Sequence, residues 1–405
     1  MIPPEEIEAI VAHESRAPGS DAERRVARHL EGRLRSMGRE VTVEPFQTRP
    51  RWPLAHLLHA IAALAGTLVA VSAPLAGAIV LAAVGLLTLD DLSGGLQLTR
   101  RLTGWRASQN VVSREDGGRP GTLVLVAHYD AGRTGAVFND RALRRRARLG
   151  RLLRRPISPF EPFFLAIVTA LACALLRLAG VETDAVAAVQ FAAAVVLIVS
   201  VALLADIGLS ETSPGANDNA SGAATVLRLA DRYDGALEHF DLWVLFSGAG
   251  EAFAHGARAF LRRHRDELTR GRTVFLCVDE VGAGTVAYTR REGLLLARSH
   301  NPALVDLCDQ IAEEDADDDD RYGARSVVGR ALRDAVRARG RGYAAVTVSC
   351  LNELGYAPEH HQPTDLPDRI DPEALDRAFG FCSELMELID DEIGPRLAGP
   401  PTDDD

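Results

Sequence analysis

Several residues of this 405-residue chain that could bind metal ions stand directly after short apolar runs. His128 and Asp130 follow the run TLVLVA, Glu251 follows LWVLF, and Asp279 follows VFLCV. Because residues i and i+2 of a strand face the same side, Asp130 could hold the second ring nitrogen of His128. A further histidine, His361, lies in the segment EHHQPTD.

A turn of small residues supplies one more carboxylate. The segment SPGANDNASG, from Ser213 to Gly222, has Asp218 near its centre and opens a helical pattern. A His-x-Asp pair alone is common at ordinary strand ends. The whole set of two histidines and three carboxylates, however, fits two zinc ions that share one carboxylate. That set is His128, Asp218, Glu251, Asp279 and His361.

The pattern around these residues predicts an α/β sandwich with a largely parallel sheet, which places sites at the carboxyl ends of its strands. The predicted buried strands are Thr122–Ala127, Leu242–Phe246, Val274–Val278 and Ala344–Val348. The predicted helices are residues 5–38, 223–233, 257–268, 302–312 and 327–339, with a short strand at 41–46 and an acidic loop at 313–320.

Two stretches are long and apolar enough for membrane hairpins. Residues 53–89 are apolar except near Ser72-Ala73-Pro74, and residues 163–180 and 185–205 flank the polar turn Glu182-Thr183-Asp184. A spanning helix needs about 20 apolar residues, so we predict four spans. Buried hairpins in a soluble protein are the alternative. A transporter is disfavoured because the spans carry almost no polar residues.

The basic residues indicate an orientation for these spans. All 45 are arginine, the net charge is −11, and the hairpin tips carry no arginine. Arginines flank the outer ends of the spans and are dense between 141 and 155. Positive charge favours the cytoplasmic side, so we expect both termini and the non-membrane sequence there. The dense run is interpreted as a contact with anionic lipid, with no nucleic-acid partner. The five cysteines form no CxxC pair and are expected to be reduced and buried.

Four segments, AHYD, GANDNASGAATVL, VDEVG and HHQPTDLPDRID, resemble in order the motifs of the co-catalytic di-zinc peptidase family. That family includes bacterial leucyl aminopeptidase, glutamate carboxypeptidase II and, more distantly, glutaminyl cyclase. The resemblance covers residues 5–48, 108–131 and 212–392. It implies a three-layer α/β/α sandwich with a central mixed, largely parallel sheet, into which the two hairpins are inserted.

Carried over position by position, the resemblance implies two metal sites that Asp218 bridges. Glu251 and His361 would complete one site, and Asp279 with His128 the other, with Asp130 behind His128. His361 is chosen over His360 because the family's ligand histidine stands four residues before an aspartate, here Asp365. The implied cofactor is a pair of zinc ions, with another divalent metal as the alternative.

One position departs from the family. Aligned without gaps on Gly256-Ala257, the segment SGAGEAFAHGA places Glu251 on the ligand glutamate and Gly250 on the glutamate that normally acts as general base. Loss of a general base costs about 10²–10⁴-fold in rate. Glu280 and His255 are candidate substitutes, although strand alternation favours Glu280 facing the opposite side.

We therefore predict a membrane-anchored, zinc-dependent, aminopeptidase-type exopeptidase that hydrolyses peptide or small amide substrates. The alternative is a catalytically impaired metal-binding scaffold or receptor-like protein. The predicted organisation is peptidase-like sequence at 1–48, 108–140 and 212–392, hairpins at 53–89 and 163–205, an arginine-rich juxtamembrane segment at 141–158, and an acidic tail at 393–405. The sequence indicates no oligomeric state.

Overall fold

In the computed structural model, residues 4–317 and 321–397 are described, and their strands form one nine-stranded sheet in the order β1-β2-β4-β3-β5-β9-β6-β7, with β8 beside β6. The acidic tail from 398 onward lies outside the described residues. The strands are β1 Glu40–Thr48, β2 Arg106–Arg114, β3 Gly121–His128, β4 Phe240–Ser247, β5 Thr273–Val278, β6 Thr285–Glu292, β7 Arg298–Ser299, β8 Arg325–Gly329 and β9 Ala344–Leu351.

The centre of the sheet is parallel, as predicted. Strand β3 pairs in parallel with β4 and β5, and β5 pairs in parallel with β9, whereas β1, β2 and β7 are antiparallel to their neighbours. Every residue of β4 and β5 is buried, which is why these strands are continuous apolar runs in the sequence. The carboxyl ends of β3, β4 and β5 therefore meet at one edge.

Helices cover both faces of the sheet and complete the predicted three layers. Helices α2, α8 and α12 pack on one face, and α9 and α11 on the other. The helices are α1 Pro4–Val11, α2 Asp21–Ser36, α3 Trp52–Ser72, α4 Pro74–Leu92, α5 Asp140–Leu152, α6 Glu161–Leu178, α7 Asp184–Leu209, α8 Gly222–Arg232, α9 His255–Arg263, α10 Pro302–Asp317, α11 Asp334–Arg339, α12 Pro372–Leu388 and α13 Gly394–Leu397.

Three local predictions differ from the structure. The helix predicted over 5–38 is interrupted between α1 and α2, and Ser20 caps the second helix by accepting a hydrogen bond from Glu23 N. The start of the helix predicted over 327–339 is strand β8, because Val327 and Val328 gain ladder hydrogen bonds beside β6. The predicted acidic loop is the end of α10 as far as Asp317, and residues 318–320 lie outside the described residues.

Helices α3, α4, α6 and α7 are long and apolar enough to cross a membrane. They pack on one another as a four-helix bundle whose outer surface is apolar; Phe191, for example, is 71% exposed. Inside the bundle, Arg177 Nε donates to Gln190 Oε1 over 2.7 Å, and Gln190 Nε2 donates to Thr67 O over 2.7 Å. These polar contacts join α6 to α7 and α7 to α3.

The bundle shares its packing with the sheet domain. One hydrophobic cluster contains Trp52 and Phe163 of the bundle together with Phe253, Leu294 and Leu332 of the domain. The Trp52 and Phe253 rings stack at a centroid distance of 5.5 Å. The apolar helix bundle therefore contacts the loop that follows β4.

Candidate metal centre

The five predicted ligands come together at the carboxyl edge of the parallel strands. His128 ends β3, Asp279 follows β5, and Glu251 lies in the loop after β4. Asp218 lies in the irregular turn Ala216–Ser221 before α8, and His361 lies in the loop after β9. Strands that run in parallel end at the same edge, which is why residues more than 200 positions apart become neighbours.

Asp218 stands between two pairs of these side chains. Its Oδ1 is 3.5 Å from His128 Nε2, which is itself 3.2 Å from Asp279 Oδ1. Its Oδ2 is 3.4 Å from His361 Nε2, which is 3.1 Å from Glu251 Oε2. Each carboxylate oxygen of Asp218 thus faces a different imidazole–carboxylate pair.

Hydrogen bonds from two residues outside the turn, Asp365 and Arg16, fix the backbone of the turn that carries Asp218. Asp365 accepts hydrogen bonds from Asn217 N over 2.6 Å and from Asp218 N over 3.1 Å. The buried Arg16 guanidinium donates to Tyr129 O over 3.0 Å and also to the carbonyl oxygens of Pro214 and Gly215. Arg16 therefore joins the strand end that carries His128 to the turn that carries Asp218.

Asp130 has two roles, of which the sequence indicated one. Its Oδ1 lies 3.5 Å from His128 Nδ1, on the side of the ring away from Asp218. Its two oxygens also accept the backbone N–H groups of Gly250 over 2.7 Å and of Glu251 over 3.0 Å. One buried carboxylate thus positions both an imidazole and the loop that carries Glu251.

Glu23 supports the same loop and was not singled out from the sequence. It accepts hydrogen bonds from Ala249 N over 2.8 Å, Ser108 Oγ over 2.9 Å and Gly19 N over 2.8 Å. Burial, with the nearby Asp130 carboxylate, raises the pKa of Glu23 to about 8. The spacing Ser20-x-x-Glu23 was visible as a helix-capping pattern, but that pattern does not reveal a tertiary partner.

Glu280 faces the metal centre, contrary to the expectation from strand alternation. Strand β5 ends at Val278, and Glu280 adopts a φ of 56°, which removes it from the alternating pattern. Its Oε1 is 2.7 Å from His360 Nδ1, and its other oxygen pairs with Arg333. Arg333 pairs with Asp279 as well, and no spacing in the sequence distinguished it from the other arginines.

His360 also reaches the centre: its Nδ1 is 3.2 Å from Asp218 Oδ2. His360, His361 and Asp218 form one group of potential ligands, and His128, Asp218 and Glu251 form another. The family-derived preference for His361 is therefore compatible with the structure, but His360 is a second imidazole beside the same carboxylate.

Gly250 has no room for a side chain. A Cβ atom at residue 250 would lie 2.4 Å from His128 Cβ and 2.6 Å from His128 Cγ. His255, the other candidate base, is bound elsewhere, with Nδ1 2.7 Å from Thr48 Oγ1 and Nε2 2.8 Å from Gln97 Oε1. Burial and neighbouring arginines lower the pKa of His255 well below its usual range. His255 is thus a structural residue.

The donor set fits divalent cations. Asp218 Oδ2 and Asp279 Oδ1 are buried and make no hydrogen bond among the residues that the structure describes. Burial alone would lower the pKa of His128, but the neighbouring carboxylates of Asp130, Asp218 and Asp279 raise it well above its usual range. The surrounding carboxylates thus favour positive charge at the imidazole, and carboxylate and imidazole donors are those that zinc prefers.

A pocket opens beside these residues toward the bundle, with a volume of about 140 Å³. Its polar wall includes the predicted ligands together with His360, Glu280 and Arg333. Its apolar wall includes Trp52, Phe138, Phe160, Phe253 and Leu332. Trp52 begins α3 and Phe160 directly precedes α6, so the apolar helix bundle contributes to the pocket.

Comparison with known proteins agrees with the fold. Residues 200–386 match the model of Peptidase family M28. The fold is similar to a Bacteroides thetaiotaomicron leucine aminopeptidase precursor (TM-score 0.54, 12% identity, 95% of this chain and 98% of that one). It is also similar to a Zn-dependent exopeptidase from Parabacteroides distasonis (TM-score 0.53, 12% identity, 97% and 99%) and to Bacteroides thetaiotaomicron glutaminyl cyclase (TM-score 0.54, 12% identity, 94% and 95%). No curated protein sequence matches the chain. The predicted fold and the predicted resemblance to zinc peptidases are confirmed.

Proposed function

We infer that this chain belongs to the zinc aminopeptidase-like peptidases and is a membrane-anchored hydrolase of peptide or related amide bonds that uses two zinc ions. The observation that carries this proposal is the position of Asp218, whose two oxygens face separate imidazole–carboxylate pairs. A bridging carboxylate between two such pairs is the arrangement that a two-metal hydrolytic site needs.

Within this proposal, Asp218 Oδ1 with His128 and Asp279 would hold one zinc ion, and Asp218 Oδ2 with His361 and Glu251 the other. Zinc would supply a Lewis acid for the substrate carbonyl and would acidify a coordinated water. Asp130 fixes the His128 ring and the backbone of Glu251, so that the two halves of the centre keep their spacing.

Proton transfer is the step that the departure at residue 250 affects. Because no side chain fits at Gly250, we propose that Glu280 is the proton acceptor. It is a pocket carboxylate outside the five ligands, and it contacts His360, which lies beside Asp218. Glu280 also pairs with Arg333, which holds its carboxylate in the wall of the pocket.

The catalytic test uses the full chain in detergent. We expect about two zinc ions per chain by mass spectrometry, and release of amine from a panel of aminoacyl amides that includes an N-terminal glutaminyl peptide. Asp218→Asn should lose both metal and activity, whereas Asp231→Asn, an exposed helical aspartate, should lose neither. Full zinc loading of the wild type without hydrolysis of any substrate would favour the scaffold alternative.

We also propose that both hairpins insert from the cytoplasmic side, which the arginines at their outer ends favour. The five native cysteines are buried, so labelling of an introduced cysteine can be measured with little labelling of the native thiols. A Glu182→Cys variant should react with a membrane-impermeant maleimide outside intact cells, whereas Asp231→Cys should react only after lysis. Reaction of Asp231→Cys in intact cells would reverse the orientation.

A further inference from the structure

A second cavity, of about 460 Å³, lies between the apolar helices α3 and α7 and reaches Glu251 of the metal centre. This volume lies within the range of small-molecule sites. We call it the lateral groove, because it lies between the first turns of α3 and the last turns of α7. Its apolar lining consists of Trp52, Pro53, Leu54 and Leu57 from α3 and Leu204, Ala205, Gly208 and Leu209 from α7.

The inner end of the lateral groove touches the proposed ligands. Glu251 and Gly132 line it. A Cβ atom at Gly132 would lie 2.4 Å from His361 Nε2 and 2.9 Å from Glu251 Cδ. Because residue 132 has no side chain, the groove lies directly beside these two proposed ligands. Trp52 lines both the lateral groove and the catalytic pocket. A molecule in the groove is therefore adjacent to the site of reaction.

Three arginines stand around the groove at the level where the helices leave the domain. Arg51 precedes α3, Arg106 begins β2, and Arg133 follows β3. Within residues 4–317 and 321–397, none of the three forms an ion pair, and Arg133 donates only to the carbonyl of Ser210. Burial and then the charges of Arg106 and Arg51 lower the pKa of Arg133. Three like charges without a counter-ion beside an apolar groove are complementary to an anionic amphiphile.

We propose that the lateral groove binds a single-chain anionic amphiphile, with its chain between α3 and α7 and its carboxylate on Arg51, Arg106 and Arg133. This inference rests on the proposed function, under which the substrates are amphiphilic amides, such as N-acyl amino acids, that enter from the bilayer. Hydrolysis consumes one water: the C–N bond breaks, the water oxygen joins the acyl carbon to give a carboxylate, and the amine leaves protonated as an ammonium ion.

Binding can be measured through Trp52. The chain has three tryptophans, so Trp105→Phe and Trp243→Phe leave Trp52 alone in the groove. Dibromostearate, a carboxylate whose bromines quench indole on contact, should quench Trp52 saturably in detergent. A brominated lysophosphatidylcholine, which is zwitterionic, should quench it weakly. Equal quenching by both probes would overturn the assignment of the arginines.

Two sets of variants test the two parts of the groove. A Cβ at Gly208 would lie 3.7 Å from Pro53 Cβ, so Gly208→Leu places its side chain in the groove without a backbone clash. Its control is Val199→Leu, on the exposed side of the same helix.

Changing Arg51, Arg106 and Arg133 to Gln should weaken dibromostearate binding by roughly 10- to 100-fold. The matched control, with the same loss of charge at exposed positions, changes Arg101, Arg141 and Arg148 to Gln. Unchanged affinity in both groove variants would refute the proposal.

Hydrolysis separates this inference from the proposed function. An N-acyl amino acid with a long chain should be cleaved with a kcat/KM at least tenfold above that of its acetyl analogue, and Gly208→Leu should remove the difference. Equal rates for both substrates would leave the hydrolase standing and refute the groove as a substrate site. Saturable Trp52 quenching without cleavage of any amide would leave the groove standing and refute the hydrolase.

Discussion

Replacement of Gly250 by alanine tests whether this position is a lost catalytic residue or a packing requirement of the metal centre. The added Cβ would lie 2.4 Å from His128 Cβ, whereas carbon atoms in contact are about 3.5–4.0 Å apart. Either the loop that carries Glu251 or the His128 ring must therefore move by about 1 Å or more. Asp130 binds both groups, so neither can move without disturbing the other.

The expected loss is large for metal binding and moderate for stability. Ligand distances around a metal must hold within about 0.2 Å, so a shift of about 1 Å removes His128 from coordination. Even loss of a partner that only orients a ligand costs about 10–100-fold in metal affinity, and we expect at least that at the His128 and Asp279 site. Overpacking should add about 1–3 kcal/mol of destabilisation.

The assay is zinc titration of the metal-free full chain against a chromophoric chelator, with thermal unfolding in the same detergent. Gly250→Ala should bind one zinc ion near the wild-type affinity and the second far more weakly. The matched control is Gly32→Ala: a Cβ there meets no atom within 4 Å, and helical propensity should stabilise the variant by about 0.5–1 kcal/mol. Two tight zinc sites in Gly250→Ala, or activity gained by Gly250→Glu, would refute the packing argument.

Two further predictions concern residues around the centre. Arg100 pairs with Asp91 at the end of α4 over 2.6 Å and donates to Ala252 O over 3.0 Å. Arg100→Gln should therefore lower the free energy of unfolding by about 3–5 kcal/mol and weaken zinc binding, whereas Arg101→Gln at the exposed neighbouring position should do neither. Equal zinc affinity in the two variants would show that the hairpin does not support the loop that carries Glu251. Burial, with nearby carboxylates, raises the pKa of Asp334 from 3.8 to about 6, so the folded state holds this proton more tightly than the unfolded state does. The free energy of unfolding should therefore fall by up to about 3 kcal/mol as pH rises from about 4 to about 6. Asp334→Asn should flatten this pH dependence in thermal unfolding, and an unchanged pH dependence would contradict the assignment.

The sequence was sufficient for the parts of the site that local patterns encode. The strands that carry His128 and Asp279 are buried on both faces, and their continuous apolar runs are readable without a structure. The four apolar helices were equally visible, because spanning length and absence of charge are properties of a single segment. Residue types at strand ends and adjoining loops then indicated the five side chains, and the family resemblance selected His361 over His360.

Local patterns gave wrong predictions where the local backbone conformation or a distant pairing partner determines the position of a residue. Alternation placed Glu280 away from the centre, because it was extended beyond the predicted strand end at Val278 and the sequence does not show that Glu280 has a positive φ. Residues 327–329 were assigned to a helix, because the partner strand β6 that makes them a strand lies far along the chain.

The sequence by itself determined which donors are available and that the chain contains four segments long and apolar enough to cross a membrane, since residue types and apolar lengths are local. Only the tertiary structure decided how those donors are held: Glu23 binds the loop that carries Glu251 across 226 residues, and Asp130 joins that loop to His128. It also decided that position 250 is closed by His128 and that α3 and α7 form a groove reaching Glu251. These are contacts between segments remote along the chain, and no spacing within one segment specifies them.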